Sequence, residues 1–249
     1  MYYIIFDLEF NQDFTSIQDF NRKGTRYPFE IIQIGAIKLD KEFNTIDTFD
    51  HYVKPTIYSE ISPFVTELTG ITTDQLHAEE PFSKIYDSFL EFIGGLDSVF
   101  CIWGTSDIKE LFRNAEYHEL NNMLLPKNYI NLQPYVSKHL NLPAKDLLRL
   151  KHAVEALGLR LSFPFHNAFH DAYYTSEIFK KIYNSSIHPL LYDTANTTIR
   201  PIQRKGKRVI DIDKLLQQFE KMYTRQITEE EQEMIKLAYK MGRTNQFLK

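Results

Sequence analysis

The sequence predicts a mixed α/β domain over residues 1–183, followed by a small helical extension over residues 184–249. Three observations carry that expectation. Short apolar runs with no helical period alternate with amphipathic stretches as far as Tyr183. Two of those runs, 30–39 and 45–53, are separated only by a turn at 40–44, which reads as an antiparallel hairpin. Beyond Tyr183 the chain becomes polar and basic before two further amphipathic stretches.

The first run, Met1-Tyr-Tyr-Ile-Ile-Phe-Asp-Leu-Glu-Phe10, reads as a strand buried on both faces, as at the centre of a sheet. Residues 11–28 are polar and read as a loop. Pro55 stops the second hairpin strand. Ser62-Pro63 is a helix cap with Pro at the first helical position, and Gly70 ends that helix. Thr73-Asp74 opens a second short helix, and the apolar spacing of 81–93 suits a third, closed by Gly94-Gly95. Residues 98–103 form an apolar strand, after which Gly104-Thr-Ser-Asp107 leads into a helix reaching about His118. A short strand at 129–132, a helix at 150–157 stopped by Gly158, and a long helix at 168–183 complete the domain. In the extension, 211–223 and 229–241 read as helices, the second capped by Thr228 with acidic residues in its first turn. The domain is thus a mixed sheet of about five strands flanked by helices.

The chain has 249 residues, 43% hydrophobic and 25% charged, enough to bury a core without metals or disulfides. A net charge of −4 argues against gripping nucleic acid or membrane with the whole surface. That charge is unevenly spread: −8 over residues 1–183 and +4 over 184–249. Arg200, Arg204, Lys205, Lys207 and Arg208 fall within nine positions. They read either as a contact for a nucleic-acid backbone or as a solvated loop. The single Cys101 excludes an internal disulfide framework and a Cys-rich zinc module, and fits a reducing compartment. With no long apolar span and no leader-like N-terminus, the expectation is a soluble, cytoplasmic protein with no membrane partner and no obligate protein partner.

Asp7 and Glu9 stand two apart on a strand, so both point to one face. Charge at the end of a buried strand is costly unless compensated, and a divalent cation is a simple remedy for two adjacent carboxylates. An exposed strand end is the bland alternative. Asp107 follows an apolar strand at a helix start, where an Asp also serves as an ordinary N-cap. Asp171 lies on the last long helix, preceded by His166 and His170, either of which could be the reactive histidine.

In order, these residues resemble the three motifs of the DEDDh 3′–5′ exonuclease superfamily, which includes proofreading exonucleases, ribonuclease T and oligoribonuclease. Phe6-Asp-Leu-Glu9 resembles the first motif, Trp103-Gly-Thr-Ser-Asp107 the second and His166-Asn-Ala-Phe-His-Asp171 the third. Glu30-Ile-Ile-Gln-Ile-Gly-Ala36, Leu68-Thr-Gly-Ile-Thr72 and Lys151-His-Ala-Val-Glu-Ala-Leu-Gly158 match supporting stretches. The Trp-Gly-x-x-Asp form looks closest to the branch of Eri-like RNA-trimming enzymes and a bacterial sporulation inhibitor. Two positions depart from the pattern: Phe10-Asn11 stands where a Thr often follows, and His170 where the residue before the last Asp is often acidic.

The resemblance implies a ribonuclease-H-like fold and a metal-dependent 3′–5′ exonuclease. It implies that Asp7, Glu9, Asp107 and Asp171 hold two divalent cations, Mg²⁺ or Mn²⁺, at the scissile phosphate. His166, in the mobile loop just before the helix, takes a proton from the attacking water; its five-residue spacing to Asp171 favours it over His170. The implied partner is the 3′ end of a single-stranded nucleic acid, RNA favoured over DNA, with nucleoside 5′-monophosphates released. Phe10 is a candidate wall for the terminal base, with core packing as its equal alternative. Leu68, Thr69 and Ile71 resemble a family loop lining the same cleft. Two other classes stand against this reading: a non-catalytic binding module on the same fold, and a related phosphoesterase that cuts internally.

Overall fold

The computed structural model describes residues 1–12, 29–143, 145–194, 212–223 and 225–243. Its strands are β1 (Tyr3–Asn11), β2 (Glu30–Leu39), β3 (Thr45–Tyr52), β4 (Val99–Ile102), β5 (Asn128–Asn131) and β6 (Leu190–Leu191). The helices are α1 (Pro63–Thr69), α2 (Thr73–Leu76), α3 (Phe82–Ile93), α4 (Ser106–Tyr117), α5 (Leu132–His139), α6 (Leu150–Ala156), α7 (Ala168–Ile182), α8 (Ile212–Tyr223) and α9 (Glu229–Arg243). A mixed six-stranded sheet runs in the order β3-β2-β1-β4-β5-β6. Strands β1, β2 and β3 are antiparallel neighbours, β4 and β5 run parallel to β1, and β6 returns antiparallel to β5.

Alternation along β1 sorts its side chains into two cores. Ile4, Phe6 and Leu8 pack with Phe82, Ile85 and Phe89 of α3 and Ile108, Leu111 and Phe112 of α4. Tyr3 and Ile5 pack on the other face with Val136 of α5, Val154 of α6, and Tyr174, Ile178 and Phe179 of α7. The continuous apolar run of β1 follows from this double burial. Asp7 and Glu9 share the face of Tyr3 and Ile5, and α7 lies over that face.

The expected β2–β3 hairpin is present, with a register shift after Lys38, and the β1–β2 pairing shifts after Glu9. Helix α5 is an element the sequence pattern did not mark: Pro134 falls in its first turn, where a missing N–H costs no helical hydrogen bond. Asn131 caps it, accepting from the Gln133 amide at 3.1 Å. Of the expected 11–28 loop, residues 13–28 lie outside the described residues.

The chain divides into two compact units, Met1–Ile199 and Arg200–Lys249. The first is longer than the expected 1–183, because Ile187 joins the α7-side core and Leu190–Leu191 pairs with β5. Tyr192 packs on Phe112 with ring centroids 4.8 Å apart. In the second unit, Thr228 caps α9: its hydroxyl accepts from the Glu231 amide at 3.3 Å, and Glu231 accepts from the Thr228 amide at 2.9 Å. Arg225 pairs with both Glu231 oxygens, at 2.6 and 2.9 Å. Among the described residues, no helix is long and apolar enough to cross a membrane.

Candidate active site

The register of β1 against β2 decides what stands behind the carboxylates: Asp7 faces Gly35 and Glu9 faces Gln33. Gly35 leaves room for another backbone. A methyl group built there would lie 2.1 Å from the Phe169 nitrogen and 2.2 Å from the Ala168 carbonyl carbon. The N-terminus of α7 therefore rests directly on the strand. Gln33, fully buried, accepts from the Ala168 amide at 3.2 Å and donates to Asp50 at 2.8 Å. Asn167 caps the helix by accepting from the His170 amide at 3.1 Å.

Docked in this way, α7 delivers Asp171 to the sheet. Carboxylate oxygens of Asp7, Glu9 and Asp171 lie within 4.8 Å of one another. Asp171 accepts the His166 amide with Oδ2 at 3.2 Å, while its Oδ1 is buried with no hydrogen-bond partner.

Asp107 arrives from the opposite layer. Gly104, with φ +92°, turns the chain out of β4, and its amide donates to Asn131 at 3.0 Å. Asp107, 6% exposed, lies outside the 4.8 Å trio, but the Leu8 amide favours the charged form of both Asp107 and Asp7. Its charge reaches both Asp7 and Glu9.

The electrostatics of the cluster have one sign. Burial first, then the charges of Asp107, Asp171 and Glu9, push Asp7 well above the carboxylate range. Burial and the charges of Asp171 and Asp107 raise Glu9 to about 8. Burial raises Asp107 to about 7, and burial raises Asp171 to about 6 against the His166 amide, which lowers it. Among the described residues, no Lys or Arg enters any of these balances. A hard divalent cation suits such a set, and the unpartnered Asp171 Oδ1 is an acceptor held ready for one.

Of the two candidate histidines, His166 is exposed and His170 is engaged. The His170 ring stacks on Phe163 at 4.8 Å and 14°, with Nδ1 3.2 Å from the Pro164 oxygen.

The expected base-binding residues divide. Phe10 is half-buried and packs edge-on against Phe29, its face of β1 belonging to the α3–α4 core. Leu68 is 42% exposed. Thr69 is occupied within its own turn, donating to the Val65 oxygen at 2.8 Å and accepting from the Ile71 amide at 3.1 Å. Ile71 is buried in a third apolar cluster with Ile32, Ile61, Val65 and Leu76, where its side chain serves packing. Arg200, Arg204, Lys205, Lys207 and Arg208 lie outside the described residues.

The exonuclease family model matches residues 4–179, which contain every residue of this cluster. The chain belongs to the exonuclease family. Among relatives of this exonuclease-family chain, a DNA polymerase III of PolC type from Caldanaerobacter subterraneus is 29% identical over 180 residues, 72% of this chain and 11% of that protein. The 3′–5′ exoribonuclease 1 of Rattus norvegicus is 22% identical over 178 residues, 69% of this chain and 50% of that protein. The chain thus spans half or less of these relatives. Among solved structures, the nuclease domain of 3′hExo, a DEDDh family member bound to rAMP, matches with a TM-score of 0.64 at 20% identity, covering 77% of this chain and 96% of that one. E. coli exonuclease I in complex with a dA16 oligonucleotide matches with a TM-score of 0.56 at 18% identity, covering 73% and 41%. These likenesses establish the ribonuclease-H-like fold.

The exonuclease fold also relies on Gln33 and Gly35, which the motif resemblance includes without giving them a role. Gln33 was the available signal, a polar side chain within an otherwise apolar buried run, where an unpaired amide is costly.

Proposed function

We propose that the chain is a metal-dependent 3′–5′ exonuclease of the DEDDh class that shortens single-stranded nucleic acid, RNA in preference to DNA, and releases nucleoside 5′-monophosphates. The observation that carries this reading is the Asp7–Glu9–Asp171 cluster, with the charge of Asp107 acting on Asp7 and Glu9 and no basic residue among the described residues balancing it.

Asp7, Glu9, Asp107 and Asp171 hold two divalent cations, Mg²⁺ or Mn²⁺. When bound, these supply Lewis-acid stabilisation of the attacking and leaving oxygens. His166, exposed at the turn that leads into α7, accepts a proton from the attacking water. Water adds to the phosphorus of the terminal nucleotide, and the bond to the 3′ oxygen of its neighbour breaks. Leu68 and the exposed part of Phe10 are walls for the terminal base. RNA is favoured because the nuclease domain of 3′hExo, similar in fold, carries rAMP and the Rattus norvegicus relative is an exoribonuclease. Residues 1–183 carry the chemistry, and the basic residues 200–208 in the extension hold the strand upstream. A cytoplasmic setting agrees with the lone, buried Cys101.

The test is incubation of 5′-labelled single-stranded RNA and DNA of one sequence with Mg²⁺, Mn²⁺ or EDTA, beside Asp171→Asn and His166→Ala. The expected result is a ladder shortened from the 3′ end, faster on RNA, absent in EDTA and in Asp171→Asn. Loss of His166 lowers the rate by about 10²–10⁴. Binding of both strands without degradation under any metal overturns the proposal in favour of a non-catalytic module, and internal cuts favour the endonucleolytic alternative.

A further inference from the structure

The segment from Ser162 to His166 lies at the surface, yet α7 holds it at several points. Tyr174, fully buried, accepts from the Ser162 amide at 2.8 Å and the Phe163 amide at 2.7 Å, and donates to the Phe163 oxygen at 2.8 Å. A phenol offers one donor and two acceptor sites, so this hydroxyl is spent entirely on two consecutive residues. The Tyr174 ring also stacks on Phe165 at 4.7 Å and 23°. One turn earlier on α7, His170 stacks on Phe163 and approaches the Pro164 carbonyl at 3.2 Å. A carbonyl only accepts, so that contact places the proton on Nδ1. The segment ends at His166 with φ +64°, a left-handed conformation that a residue with a Cβ keeps only where its surroundings impose it.

We infer that Tyr174 is a positioning residue for the reaction. Its hydroxyl fixes the 162–166 turn, with His170 as a second brace, so that the His166 imidazole is presented beside Asp171 in one orientation. Tyr174 follows Asp171 by three residues on α7, so metal ligand and base turn are referred to the same rigid helix. The inference rests on the reading of His166 as the general base. It goes further in assigning that base's alignment to two side chains outside the acidic motif residues.

The experiment is a double-mutant cycle with Tyr174→Phe and His166→Ala in the full chain with Mn²⁺, together with amide hydrogen exchange of the metal-free protein. Tyr174→Phe keeps the ring and removes the three hydrogen bonds. The expected result is a fall in kcat of about 10²-fold, the scale of a misaligned catalytic group, with KM little changed. In the His166→Ala background the same substitution should change kcat less than twofold, since there is no base left to misplace. Exchange at residues 162–167 should accelerate while the β1–β4 amides stay protected. Multiplicative losses, an unchanged kcat in Tyr174→Phe, or unchanged exchange at 162–167 overturns the positioning role. Should His166→Ala itself retain full activity, the general-base reading fails, a result distinct from those three. If Tyr174→Phe does not fold, His170→Ala, on the half-buried side of the helix, carries the same cycle and the same exchange measurement.

Discussion

The buried oxygen of Gln33 accepts a hydrogen bond from the Ala168 amide at 3.2 Å across 135 positions of sequence. The residue opposite Glu9 in the sheet is thereby tied to the first turn of the helix that carries Asp171. Asp7 and Glu9 are local to one strand, but Asp171 reaches them only because β2 accepts α7 at close range. Gln33 fixes the helix end and Gly35 leaves it space.

Gly35 therefore tolerates no side chain. In Gly35→Ala the new methyl would sit 2.1–2.4 Å from backbone atoms of Ala168 and Phe169, which cannot swing aside as a side-chain tip does. The helix end must move. The expected cost is about 3 kcal/mol or more, at the upper end for overpacking in a closed core. Metal affinity should fall with it, because Asp171 leaves the trio. Urea unfolding and Mn²⁺ titration check this; a variant with the wild-type midpoint and affinity would show the contact to be slack.

Stability should also depend on pH with a sign set by the acidic cluster. Glu9 rises to about 8, Asp107 to about 7 and Asp171 to about 6, each through burial first. Unfolded, all three titrate near 4. A carboxyl with a raised folded value binds its proton more tightly in the folded state, so the fold loses stability as pH climbs from about 4 through that value. Metal-free protein should therefore melt at lower temperature at pH 8 than at pH 5. Cations compete with those protons, so the rise in Tm on adding saturating Mg²⁺ or Mn²⁺ should be larger at pH 8. Differential scanning calorimetry in EDTA and in metal measures both. A flat or rising metal-free Tm over that range would contradict the cluster as drawn.

How much of this was legible in the sequence depends on range. The strand carrying Asp7 and Glu9, the Ser62 cap, the Gly70 stop and the Thr228 capping box are local rules written in neighbouring residues. The assignment of Asp107 and Asp171 to one site came from motif order, since nothing local to either states that β1 lies between their helices. Gln33 and Gly35 stood in a quoted motif, but their task is a contact with Ala168 and Phe169, which no periodicity encodes. Tyr174 reads as one more apolar position on a helix face, because a buried hydroxyl looks the same in sequence as an exposed one. Ile71 shows the converse: its motif context suggests a cleft, while its side chain packs against Ile32 and Val65 in a core that no neighbouring residue announces.

Glu30 is a buried carboxylate outside the cluster, and it holds the loop that leads to Leu68. It accepts from the amides of Thr56, Ile57 at 2.6 Å and Tyr58 at 3.0 Å. Asn11 braces the next stretch, donating to the Glu60 oxygen at 3.0 Å and accepting from the Ser62 amide at 3.0 Å. In Glu30→Gln one acceptor oxygen becomes an NH₂ facing backbone donors. The expected loss of stability is about 1–3 kcal/mol, the cost of leaving buried donors unpaired. If Leu68 walls the terminal base, KM should rise more than kcat falls. Chemical denaturation and steady-state kinetics on a short oligonucleotide separate the two effects, and a kcat defect alone would remove this loop from substrate binding.

The basic residues of the extension make a prediction about salt. The body over residues 1–183 carries a net −8, so a polyanion gains little from it at long range outside a metal-loaded cleft. Arg200, Arg204, Lys205, Lys207 and Arg208 are the densest positive run in the chain. Each phosphate they neutralise releases counterions and steepens the salt dependence of binding by about 0.7 for a single strand. Replacing all five by Ala should weaken binding of a long single strand and flatten log Kd against log salt by up to about 3.5. Cleavage of a dinucleotide, which does not extend beyond the cleft, should keep its rate. The comparison needs only fluorescence anisotropy across a salt series and a dinucleotide assay on the same two proteins. An unchanged slope would make the run a solvated loop, whereas loss of dinucleotide cleavage would place it at the catalytic cleft.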